Sequence, residues 1–347
     1  MILQQFHLIC YTFLMNGNFT EYKNLVAAIK SEAAKRIVGQ EQVIDGILTA
    51  LVCGGHILLE GVPGLAKTLA VKTFAEISGL DFKRIQFTPD LLPADVSGTL
   101  IYEQGSGKFS VRKGPVFTNV VLADEINRSP AKVQSALLEA MAEKQVTIGE
   151  ESHALPKPFI VLATQNPIEQ EGTYNLPEAE LDRFLLKVLV PYPTPQEEVA
   201  IVKSAGKANE IPVQQLLSAE KLEKMQSLLN EVTCDDKLTE YIVSLVGATR
   251  PLQGKKQANI AIRALPKKDD VSRYISFGAS PRAGIALLQA AKAHALFNGR
   301  DFVLPEDIKE SALSVLRHRI VLSYEAAADG VSADDLIQKI LELMPLP

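Results

Sequence analysis

The sequence predicts an α/β fold, a parallel sheet flanked by helices, followed by an all-helical segment. Several runs between residues 57 and 190 are apolar throughout, and they alternate with amphipathic helical patterns. Strands buried on both faces have this composition, which is typical of a parallel sheet covered by helices. The helical segment is predicted because only helical patterns follow Gln196, apart from an irregular stretch, Gln253–Ser272.

Two helices are expected before the first strand. Apolar residues recur at helical spacing over Tyr22–Arg36, and the same spacing resumes over Glu41–Leu51. A short turn separates the two patterns. Both helices therefore have one apolar face that must pack against the rest of the chain.

The stretch after these helices predicts a phosphate-binding loop. An apolar strand, Ile57–Glu60, meets a glycine-bearing turn, and Lys67 and Thr68 then open a helix that Gly79 ends. Backbone N–H groups of such a turn point into one concavity, where the helix dipole favours an anion. Lys67 would reach the β- and γ-phosphates of a nucleotide, and the Thr68 hydroxyl would bind Mg²⁺. The candidate phosphate-binding residues are Gly61, Val62, Pro63, Gly64, Leu65, Ala66, Lys67, Thr68 and Leu69.

Two details of this region have more than one interpretation. Ala66 stands where the standard loop has a glycine. Because alanine disfavours a positive φ, we expect Ala66 to belong to the start of the helix. Val38 and Gly39 form a small apolar turn that can line an adenine site, although a plain helix–helix turn fits equally well. Short Gly-x-x-Gly turns also serve packing alone, so the loop needs support from the rest of the chain.

The remaining elements of the sheet region follow from the same patterns. Ser129 is expected to cap one helix, with Pro130 at its first position. Alternating residues around glycines predict two inserted β-hairpins, at about residues 97–114 and 144–156. Strands are expected at Phe82–Phe87, Asn119–Glu125, Phe159–Thr164 and Leu185–Val190, and helices at Thr88–Asp95, Ser129–Glu143 and Pro177–Phe184.

Polar side chains follow two of the buried strands. Asp124 and Glu125 end one strand, and Asn166 follows the next. Ligands of α/β sheets bind at the carboxyl ends of strands. Asp124 would therefore bind Mg²⁺ and Glu125 would polarise the attacking water. We expect the Asn166 strand to lie between the loop strand and the acidic strand. A polar strand end that meets solvent is the simpler alternative.

Five motifs together resemble those of AAA+ ATPases of the MoxR family, which accept alanine at the position of Ala66. The resemblance runs from about Lys35 to the C-terminus. It implies a P-loop NTPase sheet in the AAA+ order, an all-α lid domain, and hairpins that match the helix-2 insert and the pre-sensor-1 hairpin. The motifs are Gly61-Val-Pro-Gly-Leu-Ala-Lys-Thr68, Asp124-Glu-Ile-Asn-Arg128, Ala163-Thr-Gln-Asn-Pro167, Leu181-Asp-Arg-Phe184 and Ser280-Pro-Arg282.

The resemblance also implies roles for three side chains. Asn166 matches sensor 1, Arg282 matches sensor 2 in the lid, and Arg183 matches the arginine finger that reaches the nucleotide of a neighbouring subunit. Each has a plain alternative: a turn residue before proline, a first-turn residue, and a surface ion pair with Asp182. A cation in a first helical turn is disfavoured by the dipole, which points to an external anion near Arg282. Arg128 would contact the γ-phosphate region or a neighbour, and a surface role fits equally well.

The resemblance implies an ATPase that uses ATP and Mg²⁺. Such proteins form homo-oligomeric rings, here expected to be hexamers, and drive chaperone-like maturation or remodelling of partner complexes. A partner with a von Willebrand factor A domain is implied, whereas nothing names the client. The alternatives are a magnesium-chelatase-type motor subunit, a motor acting on nucleic acid and a nucleotide-gated scaffold. Basic and acidic residues at the hairpin tips favour protein partners weakly over nucleic acid; they are Lys108, Arg112, Lys113, Glu150 and Glu151.

Composition limits the class of protein. A net charge of -5 argues against a broad basic surface for nucleic acid. The cysteines Cys10, Cys53 and Cys234 fit neither a disulfide framework nor a metal-ligand pattern, which predicts a reducing, cytoplasmic location. No run reaches membrane-spanning length, and the first residues lack the basic start of a signal peptide.

The 347 residues favour two domains. Residues 1–20 are expected to be an uninformative extension, whose true start is either Met1 or Met15. Residues 21–193 would form the nucleotide-binding core, and residues 194–347 the helical lid domain. The proline-rich stretch Pro193-Thr194-Pro195 marks the boundary between the two.

Overall fold

The structure is a computed structural model that describes residues 19–105, 107–168, 172–204, 207–251 and 271–347. Contacts divide it into two compact units, one of residues 27–224 and one of residues up to 26 together with 225–347. The strands are β1 (Ile57–Glu60), β2 (Phe82–Gln86), β3 (Gly98–Glu103), β4 (Lys108–Lys113), β5 (Val120–Asp124), β6 (Gln145–Ile148), β7 (Glu151–Ala154), β8 (Ile160–Gln165), β9 (Leu186–Leu189), β10 (Ile275–Phe277) and β11 (Val321–Leu322).

The helices are four to seventeen residues long. They are α1 (residues 19–33), α2 (Glu41–Cys53), α3 (Lys67–Ser78), α4 (Pro93–Ser97), α5 (Ala131–Glu143), α6 (Glu178–Leu181), α7 (Pro195–Lys203), α8 (Ala219–Glu231), α9 (Asp236–Ala248), α10 (Pro281–Phe297), α11 (Pro305–Leu316), α12 (Tyr324–Asp329) and α13 (Ala333–Leu343).

A five-stranded parallel sheet forms the centre of the first unit. Its strand order is β2-β5-β8-β1-β9. The strand before Asn166 therefore lies between the loop strand and the acidic strand, as the sequence predicts. β5 is buried along its whole length, and β8 is buried up to Gln165. Strands of this composition need cover on both faces, and the α/β prediction is confirmed.

Helices supply that cover. On one face, Val121, Ala123, Val161 and Ala163 share a core with Leu137 of α5. On α3, the residues Ala70, Val71 and Phe74 are buried. The edge strand β2 differs, because Ile85 is its one fully buried residue and polar side chains occupy most of the rest. That polar edge lies beside the acidic strand β5.

Both expected hairpins are present as two-stranded antiparallel ribbons. β3 and β4 pair with Tyr102 opposite Phe109, and β6 and β7 pair with Thr147 opposite Ser152. The Tyr102 and Phe109 rings lie 5.3 Å apart and are both exposed. The first hairpin thus presents aromatic side chains outside the core.

The chain after β9 stays attached to the first unit. The Arg36 guanidinium donates to the Ile211 carbonyl at 2.6 Å, and the Glu32 carboxylate accepts from the Gln214 N–H at 2.8 Å. These bonds explain why the first unit extends to residue 224. The domain boundary expected at residues 193–195 stays a prediction, because packing units and functional domains need not coincide.

The second unit is mainly helical. On α10, Leu287, Ala290 and Ala291 are fully buried, and these small side chains allow close packing against α11. The expectation of helices alone is wrong in one respect, because β10 and β11 form a short antiparallel ribbon. Runs of two or three residues are too short to show an alternating pattern. Most of the irregular stretch Gln253–Ser272 lies outside the described residues.

Two helix boundaries also differ from the sequence prediction. The helical piece expected at Thr88–Asp95 is α4, at Pro93–Ser97. Proline fits the first turn of a helix because it lacks an N–H, and the Asp95 carboxylate accepts from the Leu92 N–H at 2.9 Å. The helix expected from Ser129 begins two residues later, since a single 3-10 turn, Ile126–Arg128, comes before it. The prediction that Ser129 caps this helix is also wrong, because Pro130 is the residue before it and the Ser129 hydroxyl donates to the Ile126 carbonyl at 3.4 Å.

In the part of the chain that the structure describes, no helix has the length and apolar character needed to cross a lipid bilayer. Cys53 and Cys234 are free thiols, and Cys10 lies outside the described residues.

Candidate functional site

A cavity of about 420 Å³ opens at the carboxyl end of the sheet, above the start of α3. It brings together most of the side chains predicted to act on a nucleotide. Gly61, Val62 and Leu65 belong to the same loop but do not line it. The lining residues are Pro63, Gly64, Ala66, Lys67, Thr68, Leu69, Lys72, Asp124, Glu125 and Asn166.

The loop backbone requires small residues. A Cβ at Gly61 would lie 2.8 Å from the Val190 Cβ and 2.9 Å from the Val190 carbonyl oxygen, so only glycine fits there. Gly64 has φ +87°, in the left-handed region. The turn can therefore curl tightly enough to aim its N–H groups into the cavity.

The conformation expected for Ala66 is wrong. Ala66 has φ 57° and ψ 19°, in the left-handed region, and precedes the first helical residue instead of belonging to the helix. Its carbonyl accepts from the Ala70 N–H at 2.9 Å, as the residue before a helix does. A single methyl group makes this strained conformation cost about 1–2 kcal/mol, which the surrounding loop must offset.

Lys67 lies over the loop. Its ammonium group donates to the Gly61 carbonyl at 2.5 Å, and its side chain lines the cavity. The cation is therefore held next to the N-terminus of α3, where both its charge and the dipole favour an anion.

Asp124 ends β5 and is almost fully buried. Its Oδ1 accepts from the Thr164 hydroxyl at 2.5 Å. Its Oδ2 accepts from the Arg84 Nε at 2.9 Å and lies 2.7 Å from the Arg84 Nη2. The Thr68 hydroxyl is 3.4 Å from the same Oδ2. The carboxylate thus faces α3 with one oxygen and β8 with the other.

Glu125 stands just past the strand with φ 56°, which turns its side chain into the cavity. Its Oε2 accepts from the Gln86 Nε2 at 2.8 Å and from the Arg128 Nη1 at 3.1 Å. Its N–H donates to the Thr164 hydroxyl at 2.8 Å. The question left open for Arg128 has a partial answer, since it pairs with the acid itself.

Sequence reasoning missed Thr164, Arg84 and Gln86. Thr164 is fully buried and holds both acids, one by its hydroxyl hydrogen and one by an oxygen lone pair. A polar residue at the end of an otherwise apolar strand was the available signal for Thr164. For Arg84 and Gln86 the signal was the polar alternation of the edge strand.

Asn166 follows β8, lines the cavity and is 4% exposed. Its Oδ1 accepts from the Ile168 N–H at 3.2 Å, a side-chain turn that is common for asparagine. The interpretation as a turn residue is confirmed, whereas the role as a sensor of the γ-phosphate stays a prediction. Because Oδ1 is engaged in the turn, Nδ2 is the atom available as a donor.

The other predicted site residues lie elsewhere. Gly39 lines a second cavity, of about 290 Å³, and a Cβ on it would lie 2.2 Å from the Glu197 Cδ. Val38 beside it is half-buried and lines neither cavity. The Arg183 Nη1 donates to the Leu138 carbonyl at 2.5 Å and does not line the first cavity. Arg282 begins α10 in the second unit, where its N–H donates to the Ser280 hydroxyl at 3.2 Å.

One buried histidine, His56, connects elements that carry the site. The Val161 N–H donates to the His56 Nδ1 at 3.0 Å, so Nε2 carries the proton and donates to the Met141 carbonyl at 3.3 Å. Burial lowers the pKa of His56 from 6.5 to about 4. The neutral ring therefore links β1, β8 and the end of α5, and its role is structural.

The residues present suit a nucleotide with a divalent cation. The Thr68 hydroxyl and the Asp124 carboxylate are hard oxygen ligands of the kind that Mg²⁺ prefers. The loop and the start of α3 supply N–H groups and the Lys67 ammonium group for phosphate oxygens, and Lys72 of α3 also lines the cavity. Fold and site together define the class of protein: a P-loop ATPase core with a helical lid.

Comparison with known proteins agrees. Residues 56–186 match the family described as ATPase family associated with various cellular activities (AAA), and residues 267–340 match its AAA lid domain. Chaperone MoxR1 of Mycobacterium tuberculosis is 48% identical over 316 residues, which cover 91% of this chain and 81% of that protein. The uncharacterized protein YeaC of Bacillus subtilis is 42% identical over 312 residues, 90% of this chain and 91% of that one.

A crystal structure of a candidate ATPase from Cytophaga hutchinsonii superposes with a TM-score of 0.84 at 49% identity, covering 95% of this chain and 97% of that one. The chain belongs to the MoxR family of AAA+ ATPases.

Proposed function

We propose that this protein binds ATP in the cavity above α3 and hydrolyses it in an oligomeric ring to remodel partner proteins. The observation that carries the proposal is the convergence of Lys67, Thr68, Asp124, Glu125 and Asn166 on that cavity. Together they supply four requirements of phosphoryl transfer: charge, metal ligands from two residues, a base and a donor.

The loop would bind the triphosphate through its N–H groups and Lys67. Thr68 and Asp124 would hold Mg²⁺, which supplies charge neutralisation at the β- and γ-phosphates. Glu125 would orient the attacking water, since its carboxylate already turns into the cavity. Asn166 would donate from Nδ2 to the γ-phosphate or to the water.

Two arginines complete the proposed reaction. Arg183 would act in trans on the neighbouring protomer's nucleotide, which is supported by its absence from the cavity lining of its own chain. Arg282, at the start of α10, would contact the nucleotide from the lid. We propose a homo-oligomeric ring, most simply a hexamer, because no arginine of the described residues lines the cavity and a second protomer would supply one.

The remodelled partner is proposed to be protein. The first hairpin exposes Tyr102 and Phe109, at 55% and 68% of their surfaces, and exposed aromatic groups are frequent in protein interfaces. The relative MoxR1 of Mycobacterium tuberculosis is named a chaperone. A partner with a von Willebrand factor A domain and an unidentified client complex complete the proposal. Stimulation of hydrolysis by DNA would instead favour a motor acting on nucleic acid.

The test is ATP binding and turnover by the full chain. Lys67→Ala should weaken ATP binding at least about a hundredfold, because it removes the ammonium group that lies over the loop. Lys132→Ala, an exposed lysine on α5, is the matched control and should bind ATP like the wild type. Equal ATP affinity in the wild type and Lys67→Ala, or no turnover by the assembled wild type, would contradict the proposal.

A further inference from the structure

The Arg84 guanidinium is attached to the carboxylate that the metal would need. Its Nε and Nη2 lie 2.9 Å and 2.7 Å from the Asp124 Oδ2. This is the same oxygen that faces the Thr68 hydroxyl, at 3.4 Å. A divalent cation bound between Thr68 and Asp124 would therefore need the same Asp124 oxygen that Arg84 already contacts.

The strand register places Arg84 there. Gln86 of β2 lies opposite Asp124 of β5 and Arg84 lies opposite Leu122, so all four side chains point to one face of the sheet. Arg84 also donates to the Gln86 Oε1 at 2.6 Å, and Gln86 donates to Glu125. The arginine is thus aimed at the acids along the sheet.

The two partners differ in how firmly they are held. The Arg84 side chain is 49% exposed on an edge strand, whereas the Asp124 side chain is 10% exposed and fixed on its other side by Thr164. A half-exposed ion pair is cheap to break, so Arg84 can leave without rearrangement of the sheet. Asp124 cannot turn away from Arg84, because Thr164 fixes its other oxygen.

We propose that Arg84 is a built-in counter-ion that competes with the divalent cation for Asp124 and makes metal binding conditional on the nucleotide. A metal ion alone must displace a guanidinium that makes two charge-assisted contacts. A metal ion that arrives with a triphosphate brings its own oxygen ligands, and the phosphates give Arg84 another anion. The inference rests on the proposed function only in naming the Thr68 and Asp124 oxygens as metal ligands.

The experiment measures metal affinity without nucleotide. Mn²⁺, which can be followed by electron paramagnetic resonance, is titrated into the full chain and into Arg84→Gln. Arg84→Gln should bind Mn²⁺ at least about tenfold more tightly than the wild type, and Asp124→Asn in the same background should remove the gain. With ATP present, the wild type and Arg84→Gln should differ by less than about twofold.

Lys83→Gln is the matched control, since it removes one positive charge from the same strand. Alternation places its side chain on the opposite face of the sheet, so its Mn²⁺ affinity should equal that of the wild type. Arg84→Met keeps an unbranched side chain without the charge and replaces Arg84→Gln if that variant does not fold.

Equal or weaker Mn²⁺ binding by the folded neutral variant, without nucleotide, overturns the inference. So does a gain of the same size in Lys83→Gln, which would show a general charge effect. If the wild type does not hydrolyse ATP, that result contradicts the proposed function instead. The Mn²⁺ titration without nucleotide still tests the role of Arg84 in that case.

Discussion

At the scale of single residues, the two acids depend on one hydroxyl. Thr164 donates to Asp124 and accepts from the Glu125 N–H, and it is fully buried. We therefore regard Thr164 as a positioning residue for both.

Replacing Thr164 by Val keeps the shape and removes the hydroxyl. The Glu125 N–H then lacks its acceptor and Asp124 lacks a donor, which should lower the free energy of unfolding by about 1–3 kcal/mol. ATP turnover should fall at least about tenfold, because both carboxylates lose their orientation.

Thr164→Ser is the control for this prediction, since it retains the hydroxyl and should recover most of the turnover. Denaturant unfolding and ATP turnover are the two measurements. Wild-type turnover in Thr164→Val, with the expected loss of stability, would show that Thr164 is structural only.

Ala66 shows how a single residue can escape sequence reasoning. The spacing of the loop was predicted, and so was its place between β1 and α3. The left-handed conformation of Ala66 was not, because alanine disfavours it and only the closed loop imposes it. The backbone conformation of this loop is therefore set by the fold around it and not by the conformational preferences of its residues.

At the scale of elements, His56 couples two strands and a helix. Its folded-state pKa, about 4, lies below the ordinary value of 6.5, so protonation favours the unfolded chain. The stability it contributes is complete above about pH 6.5 and is lost as the pH falls towards 4. Between pH 7.5 and pH 5 the free energy of unfolding should fall by about 2 kcal/mol from this group alone.

The check is urea unfolding of the wild type and His56→Gln at both pH values. Glutamine cannot titrate, so the variant should be less stable at pH 7.5 but should lose about 2 kcal/mol less on acidification. An identical loss in both proteins would mean that His56 titrates normally.

The parallel sheet and the central place of the Asn166 strand could be predicted from the residues, and the resemblance implied the rest of the strand order, whereas the contacts between the strands could not be predicted. Apolar runs separated by helices indicate a parallel sheet, and Asn166 and Asp124 both mark carboxyl ends of strands. Whether Arg84 or Gln86 faces Asp124 depends on register, and shifting register by one residue reverses every side chain. No local pattern in Phe82–Gln86 fixes that register.

The lid shows another limit of prediction from the sequence. Its helices have clear apolar faces and were expected, but β10 and β11 together span five residues and pair at long range in the sequence. Such short strands exist because of their partners and not because of their own composition. Their prediction would have needed the tertiary structure.

At the scale of the whole molecule, the proposal requires two protomers at each site. Arg183→Ala should reduce turnover by about 10³-fold or more while ATP binding is retained, since an arginine finger acts on the transition state. Mixed rings of Arg183→Ala and Glu125→Gln should regain part of the activity, because some interfaces combine an intact finger with an intact acid.

The control for mixing is Arg183→Ala combined with a chain that carries both changes, which offers no intact interface and should stay inactive. Turnover is measured as a function of the mixing ratio, with assembly checked by native mass spectrometry. Mixed rings that assemble without any gain would place Arg183 in its own protomer's site or outside catalysis.

The most direct test of the central claim is the fate of ATP in Glu125→Gln. The account predicts that this variant binds ATP within about threefold of the wild type but turns it over at least about a hundredfold more slowly, because the base is lost and the loop is not. Glu139→Gln, an exposed glutamate on α5, should behave as the wild type. Turnover by Glu125→Gln at the wild-type rate would contradict the account.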